Sequence, residues 1–143
     1  MKQLKPETRN QNDESMTNAR MIEVRPRAAF DLEDRTAKFG EAIIALARNV
    51  PVGPVTSSLV SQLVRAATSI GANYLEADDA DSKKDFRFKI GLCRREARET
   101  KHWLRMIVAA EPQLNDHART LWKEAKELNL IFGAIRRRAE EKH

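Results

Sequence analysis

Residues 82–111 read SKKDFRFKIGLCRREARETKHWLRMIVAAE, and the spacing inside that stretch decides the fold. Phe86, Ile90, Cys93, Ala97, Thr100, Leu104 and Ile107 alternate steps of four and three, which keeps one face of a helix turned toward a neighbour. Ser82 is placed to cap that helix, with Asp85 at the capping-box position, and Glu111-Pro112 closes it. A second stripe of seven positions lies beside the apolar one: Lys84, Arg87, Gly91, Arg94, Arg98, Lys101 and Arg105, six of them cationic.

The same alternation extends outward. Downstream, Leu114, Ala118, Leu121, Ala125, Leu128, Phe132, Ile135 and Ala139 predict another long helix. Upstream, Leu59, Leu63, Ala66 and Ile70, then Asn73 or Tyr74, and Ala77 predict one that starts near Thr56 or Ser57 and ends at Asp78-Asp79-Ala80-Asp81. Earlier still, Leu32, Thr36, Phe39, Ile43, Leu46 and Val50 follow a capping Asp31 and stop at Pro51-Val52-Gly53-Pro54. No period-two run bounded by turn residues competes. Four long helices with short connections predict an all-α fold, an antiparallel up-down-up-down four-helix bundle over residues 30–143. Residues 1–29 lack apolar periodicity and predict a flexible N-terminal tail, with Met16 or Met21 as alternative starts.

The chain has 143 residues, enough for one domain. A composition of 41% hydrophobic and 33% charged residues excludes a disordered chain and a membrane protein. The first residues have no apolar stretch behind their charges, so no secretory signal is expected. A single cysteine, Cys93, forms no internal disulfide and fits a reducing, cytoplasmic setting. The net charge of +5 favours polyanionic partners, and the tail contributes to it.

The six cations Lys84, Arg87, Arg94, Arg98, Lys101 and Arg105 span about 31 Å of helix at the usual rise. Guanidinium and ammonium groups on a rigid rod suit a phosphate backbone, whose neutralisation releases counterions. Gly91, in the same row, leaves room for another backbone to approach. The commoner origin of such a row is a solvated face whose long stems cover the core edge. In the preceding helix, Arg65, Ser69, Asn73 and Glu76 form a polar line suited to a buried hydrogen-bonded seam through Glu96 or Glu99 that fixes helix register. Phe88, Trp103 and Trp122 fall off the core stripes and are candidate contacts with another subunit, a broad core being the alternative.

Glu99 and His102 have the Glu-x-x-His spacing of di-iron bundles, but inward Thr100 and Leu104 turn His102 outward, and the other match, Glu140 to His143, ends the chain. No metal site is expected. Cys93 lies on the inward stripe and reads as a small core residue, and His117 has no partner at catalytic spacing. There is no glycine-rich phosphate loop, so neither enzymatic activity nor a cofactor is expected.

The stretch from Gln62 to Ala77, with its Ser69-Ile70-Gly71-Ala72-Asn73-Tyr74-Leu75-Glu76 core, Ser82 to Phe86, Glu96 to Trp103 and the opening Phe30-Asp31-Leu32 together carry a family resemblance. They resemble the four-helix-bundle proteins encoded in intervening sequences of bacterial 23S ribosomal RNA genes, also called S23 homologues. The likeness covers about residues 30–138, and it departs at the acidic Asp78-Asp79 and the long N-terminal tail. It implies a left-handed antiparallel bundle that assembles into a ring-like homopentamer. Related accessory proteins of diversity-generating retroelements share that assembly and engage a reverse transcriptase and nucleic acid. Arg65, Ser69, Asn73 and Glu76 match the family's motif, which implies a structural role. The resulting expectation is a non-enzymatic, cytoplasmic homo-oligomer that binds RNA or DNA weakly and without strict sequence preference. The alternative is a protein-interaction scaffold with no direct nucleic-acid contact.

Overall fold

A computed structural model describes residues 27–141. Four helices and one short turn make up the described chain: α1 (Arg27–Ala47), α2 (Pro54–Asp78), α3 (Lys83–Ala110), a 3-10 turn (Pro112–Leu114) and α4 (Asn115–Glu141). No strand occurs among the described residues. Of the described residues, 33–141 belong to one compact unit, and the opening turns of α1 before them belong to another. Residues 1–26 of the expected tail lie outside the described residues.

Two helices start earlier than expected. Helix α1 is helical from Arg27, which puts Asp31 inside it rather than at its cap. Ala28 and Ala29 have the highest helix propensity of any residue type and extend the helix upstream. Helix α2 begins at Pro54, because proline has a preset φ and needs no donor in the first turn. Thr56, expected near the cap, instead turns inward and donates its hydroxyl to the Pro51 carbonyl at 2.6 Å.

The third helix starts where its capping signal lies. Ser82 Oγ accepts from the Asp85 N–H at 3.0 Å. At the far end, the Glu111 N–H closes the last turn on the Ile107 carbonyl at 2.8 Å, ahead of Pro112.

The stripes of alternating spacing supply the core. Ile43, Leu46, Leu63, Ala66, Ile70, Ile90, Cys93, Ala97, Ile107, Ala125, Leu128 and Phe132 are fully buried. Tyr74 and Phe132 tilt against each other with ring centroids 5.9 Å apart. The outermost stripe positions, Leu59, Phe86, Ile135 and Ala139, are only half-buried. Helix α2 meets α1 at Gly71, where a Cβ would come 3.2 Å from Thr36 Oγ1. No helix among the described residues is long and apolar enough to cross a membrane.

Candidate nucleic-acid interface

Helix α3 carries nine cations and three carboxylates, and its periodicity sorts them into two flanks. The carboxylates Glu96 and Glu99 face α2. There Arg65 bridges both, with Nη1 3.3 Å from Glu96 and Nη2 2.5 Å from Glu99. One helical stretch away, Lys89 Nζ lies 2.5 Å from Glu76 of α2. The hydrogen bond to Glu99 holds the Arg65 guanidinium above its usual pKa, and the hydrogen bond to Glu76 does the same for Lys89.

The polar line of α2 reaches Glu96 and Glu99 through Arg65, as expected, but it ends in exposed clasps and is not the buried seam expected. Arg65 and Glu76 are exposed, whereas Ile70 between them in sequence is fully buried, with Cys93 Sγ of α3 3.6 Å from its carbonyl. Ser69 and Asn73 bond back to their own helix, to the carbonyls of Arg65 and Ser69.

The flank toward α4 is built differently. Asn129 of α4 donates to the Arg94 carbonyl at 2.9 Å. The Arg94 stem passes Gly133, whose missing Cβ would lie 3.5 Å from Arg94 Cδ. Across from Gly91 stands the Arg136 guanidinium, 3.3 Å from where a Cβ would be. The room that Gly91 leaves is thus taken by a side chain of the same chain, because α4 packs along this flank. Lys84, Arg98 and Arg105 are exposed, while Arg87, Arg94 and Lys101 are half-buried. Among the described residues, no carboxylate lies within 4.0 Å of Lys84, Arg94, Arg98, Lys101 or Arg105.

The three aromatics singled out from the sequence have different surroundings. Phe88 is 58% exposed. Trp103 is half-buried, donates its indole N–H to Glu99 at 3.5 Å and meets the His102 ring edge-on. Trp122 is half-buried beside two cations: Lys101 Nζ lies 5.4 Å from its ring centroid and Lys126 Nζ 5.8 Å. Lys126 and Trp122 are four residues apart, a spacing readable in the sequence. The approach of Lys101 depends on the register between α3 and α4, which is not.

Burial pushes the Cys93 thiol up to about 12, and its Sγ lies 3.6 Å from the Ile70 carbonyl. A thiol that stays protonated at neutral pH is no nucleophile. Among the described residues, no cluster of three or more His, Cys, Asp or Glu side chains could hold a metal ion. The candidate spacing from Glu140 to His143 runs outside the described residues.

Comparison with known proteins adds a lineage to this geometry. Residues 30–133 match the family described as 23S rRNA-intervening sequence protein. The chain is also similar to a protein of unknown function from the S23 ribosomal protein family of Bacteroides thetaiotaomicron, known from a crystal structure. The two are 26% identical with a TM-score of 0.67, over 76% of this chain and 97% of that one. No curated protein matches significantly.

Proposed function

Because this chain belongs to the 23S rRNA-intervening sequence protein family, we propose that it is a non-enzymatic bundle that holds RNA by its phosphates along the α4-side flank of α3. The observation that carries this reading is the set of five stripe cations, Lys84, Arg94, Arg98, Lys101 and Arg105, with no carboxylate partner among the described residues. A cation already neutralised by a carboxylate gains little from a phosphate; one facing water releases counterions when a phosphate arrives. Arg87 lies in the same row. Phosphate contacts carry no sequence information by themselves, so binding is without strict sequence preference.

The residue pairings support an antiparallel up-down-up-down order. From α1 to α2, Thr36 meets Gly71 and Gly40 meets Thr68. From α2 to α3, Arg65 meets Glu96 and Glu76 meets Lys89. From α3 to α4, Gly91 meets Arg136 and Lys101 meets Trp122. In each case one number rises as the other falls. Exposed Phe88 and Leu130, at 58% and 57%, support burial against further copies of the chain, hence a homo-oligomer.

Fluorescence anisotropy with a structured RNA at two salt concentrations tests the stripe. Five phosphate contacts predict an affinity loss of roughly 500-fold between 50 and 200 mM salt. Changing Arg94, Arg98 and Lys101 together to Glu is expected to weaken binding by roughly a hundredfold or more and to flatten the salt slope. An unchanged affinity and slope in that variant would remove the stripe as the site.

A further inference from the structure

At its C-terminal end the cationic row runs into a groove. Between the last turns of α3 and the first turns of α4 lies an open cleft of about 370 Å³. Its apolar lining comes from Leu104, Val108, Ala118 and the Trp122 indole. Arg105, Arg119 and Lys123 also line it, and no carboxylate does. Lys101 and Lys126 approach the indole to 5.4 and 5.8 Å from its centroid.

Two cations therefore lie over the indole, where an incoming base would take their place, and three more line the cleft beside it. None of them has a carboxylate partner among the described residues. Like charges gathered this closely repel, and the repulsion is relieved when an anionic guest enters. Charge alone would suit any polyanion. The apolar lining adds a demand that phosphates do not meet: the guest must carry a flat, apolar body between its charges. An unpaired base flanked by two phosphates has that chemistry, and a base stacks on an aromatic ring regardless of its identity. A duplex keeps its base faces stacked inside and offers backbone, 2′-hydroxyls and base edges instead. The two tryptophans differ in the same sense. The Trp103 indole N–H is spent on Glu99, while the Trp122 N–H has no partner among the described residues and is free to meet an acceptor.

We propose that this cleft captures one unpaired base of an RNA strand against Trp122, with the flanking phosphates on Arg105 and Arg119. The proposal rests on the phosphate row described above and extends it. The row holds backbone, and the cleft selects single-stranded over paired RNA.

The chain has two tryptophans, so Trp103→Phe leaves Trp122 as the only one and makes its emission a direct report on the cleft. A ten-nucleotide oligouridine and a blunt RNA duplex serve as probes, each followed by tryptophan emission and by anisotropy. Oligouridine is expected to quench Trp122 emission by about half or more, and the duplex to bind without quenching. Trp122→Ala is expected to weaken oligouridine about tenfold and leave duplex affinity within about twofold, with Trp122→Phe retaining most of the lost affinity. Arg119→Glu with Lys123→Glu, both on the surface, is expected to give the same loss of discrimination and covers the case in which Trp122→Ala loosens the fold. Oligouridine that binds without quenching and without loss in these variants overturns the cleft and leaves the row intact. Equal quenching by polyglutamate overturns it too, in favour of an acidic peptide. Absence of binding by both RNAs overturns the row and the cleft together.

Discussion

The two flanks of α3 carry the same kinds of cation and put them to different uses. Toward α2, Lys89 closes on Glu76, and Arg65 of α2 closes on Glu96 and Glu99. Toward α4, Arg94, Arg98 and Lys101 have no carboxylate within reach among the described residues. The difference lies in the neighbours. Helix α2 presents Glu76, and the α2 side of α3 holds Glu96 and Glu99. Along the other flank, α4 meets α3 with Asn129, Gly133 and Arg136. A cation row is informative only after its partners have been counted. By that count, one flank is a helix-to-helix clasp and the other is a surface left positively charged.

Matched charge reversals break or sharpen this contrast most directly. Arg94→Glu with Arg98→Glu on the open flank is expected to lower RNA affinity by roughly tenfold per position, the scale of one charge-assisted contact. Arg65→Glu with Lys89→Glu on the clasped flank is expected to change affinity by less than about threefold, and instead to lower thermal stability by setting carboxylates against carboxylates. Anisotropy and a circular-dichroism melt on both variants read the two effects. Equal affinity losses on both flanks would mean that the distinction has no bearing on RNA.

A pair of glycines probes packing in place of charge, with a smaller effect. At Gly71 a Cβ would meet Thr36 Oγ1 at 3.2 Å and the Thr36 backbone at 3.6 Å. Thr36 is buried and its hydroxyl must give way by a few tenths of an ångström, a cost that exceeds the gain in helix propensity, so Gly71→Ala is expected to destabilise by up to about 2 kcal/mol in a denaturant melt. At Gly91 a Cβ would meet only the end of the Arg136 side chain, at 3.3 Å. A flexible guanidinium can move, and alanine is the better helix former by about 1 kcal/mol, so Gly91→Ala is expected to be neutral or stabilising by up to that amount. The opposite order of these two effects would show that the α3–α4 flank is the more rigidly packed.

Much of the fold was legible because helix packing repeats. The stripes of α1 to α4 are fixed by residue spacing alone, and their central members, such as Ile43, Ile70, Ile90 and Phe132, are the fully buried ones. The family was legible from the motif around Ser69 to Glu76, and the match over residues 30–133 bears it out. Helix starts were less legible. Thr56 looks like a cap, but Pro54 already meets the needs of a first helical turn. The surroundings of the candidate site were least legible, since they depend on register between helices. Nothing local to Gly91 announces that Arg136 sits across from it, or that Lys101 reaches Trp122. The polar line of α2 has the spacing of a buried seam, yet Arg65 and Glu76 are exposed while the apolar stripe members Ala66 and Ile70 between them take the buried positions.

The smallest expected effect concerns the clasp itself. Arg65→Ala removes a guanidinium that touches two carboxylates but whose side chain is 47% exposed. Two opposing terms set the outcome. The bridge gains modest Coulomb energy in a largely aqueous setting and loses side-chain entropy, so exposed pairs are worth about 0.2–1 kcal/mol. Removal also leaves Glu96 and Glu99 one turn apart on α3 without their shared cation, which adds a small repulsion. Glu96 is the more sheltered of the two, with 15% of its side chain exposed, and bears most of that penalty. The sum is expected to be about 1 kcal/mol, and it should shrink further in high salt, where exposed charges are screened. RNA affinity should stay within about twofold of the unaltered protein, because Arg65 lies on the flank whose charges are already matched. A loss well above 1 kcal/mol that persists at 1 M salt would mean that Arg65 anchors α2 to α3 through packing of its stem. The α2 flank would then be a structural joint, and not an electrostatic one.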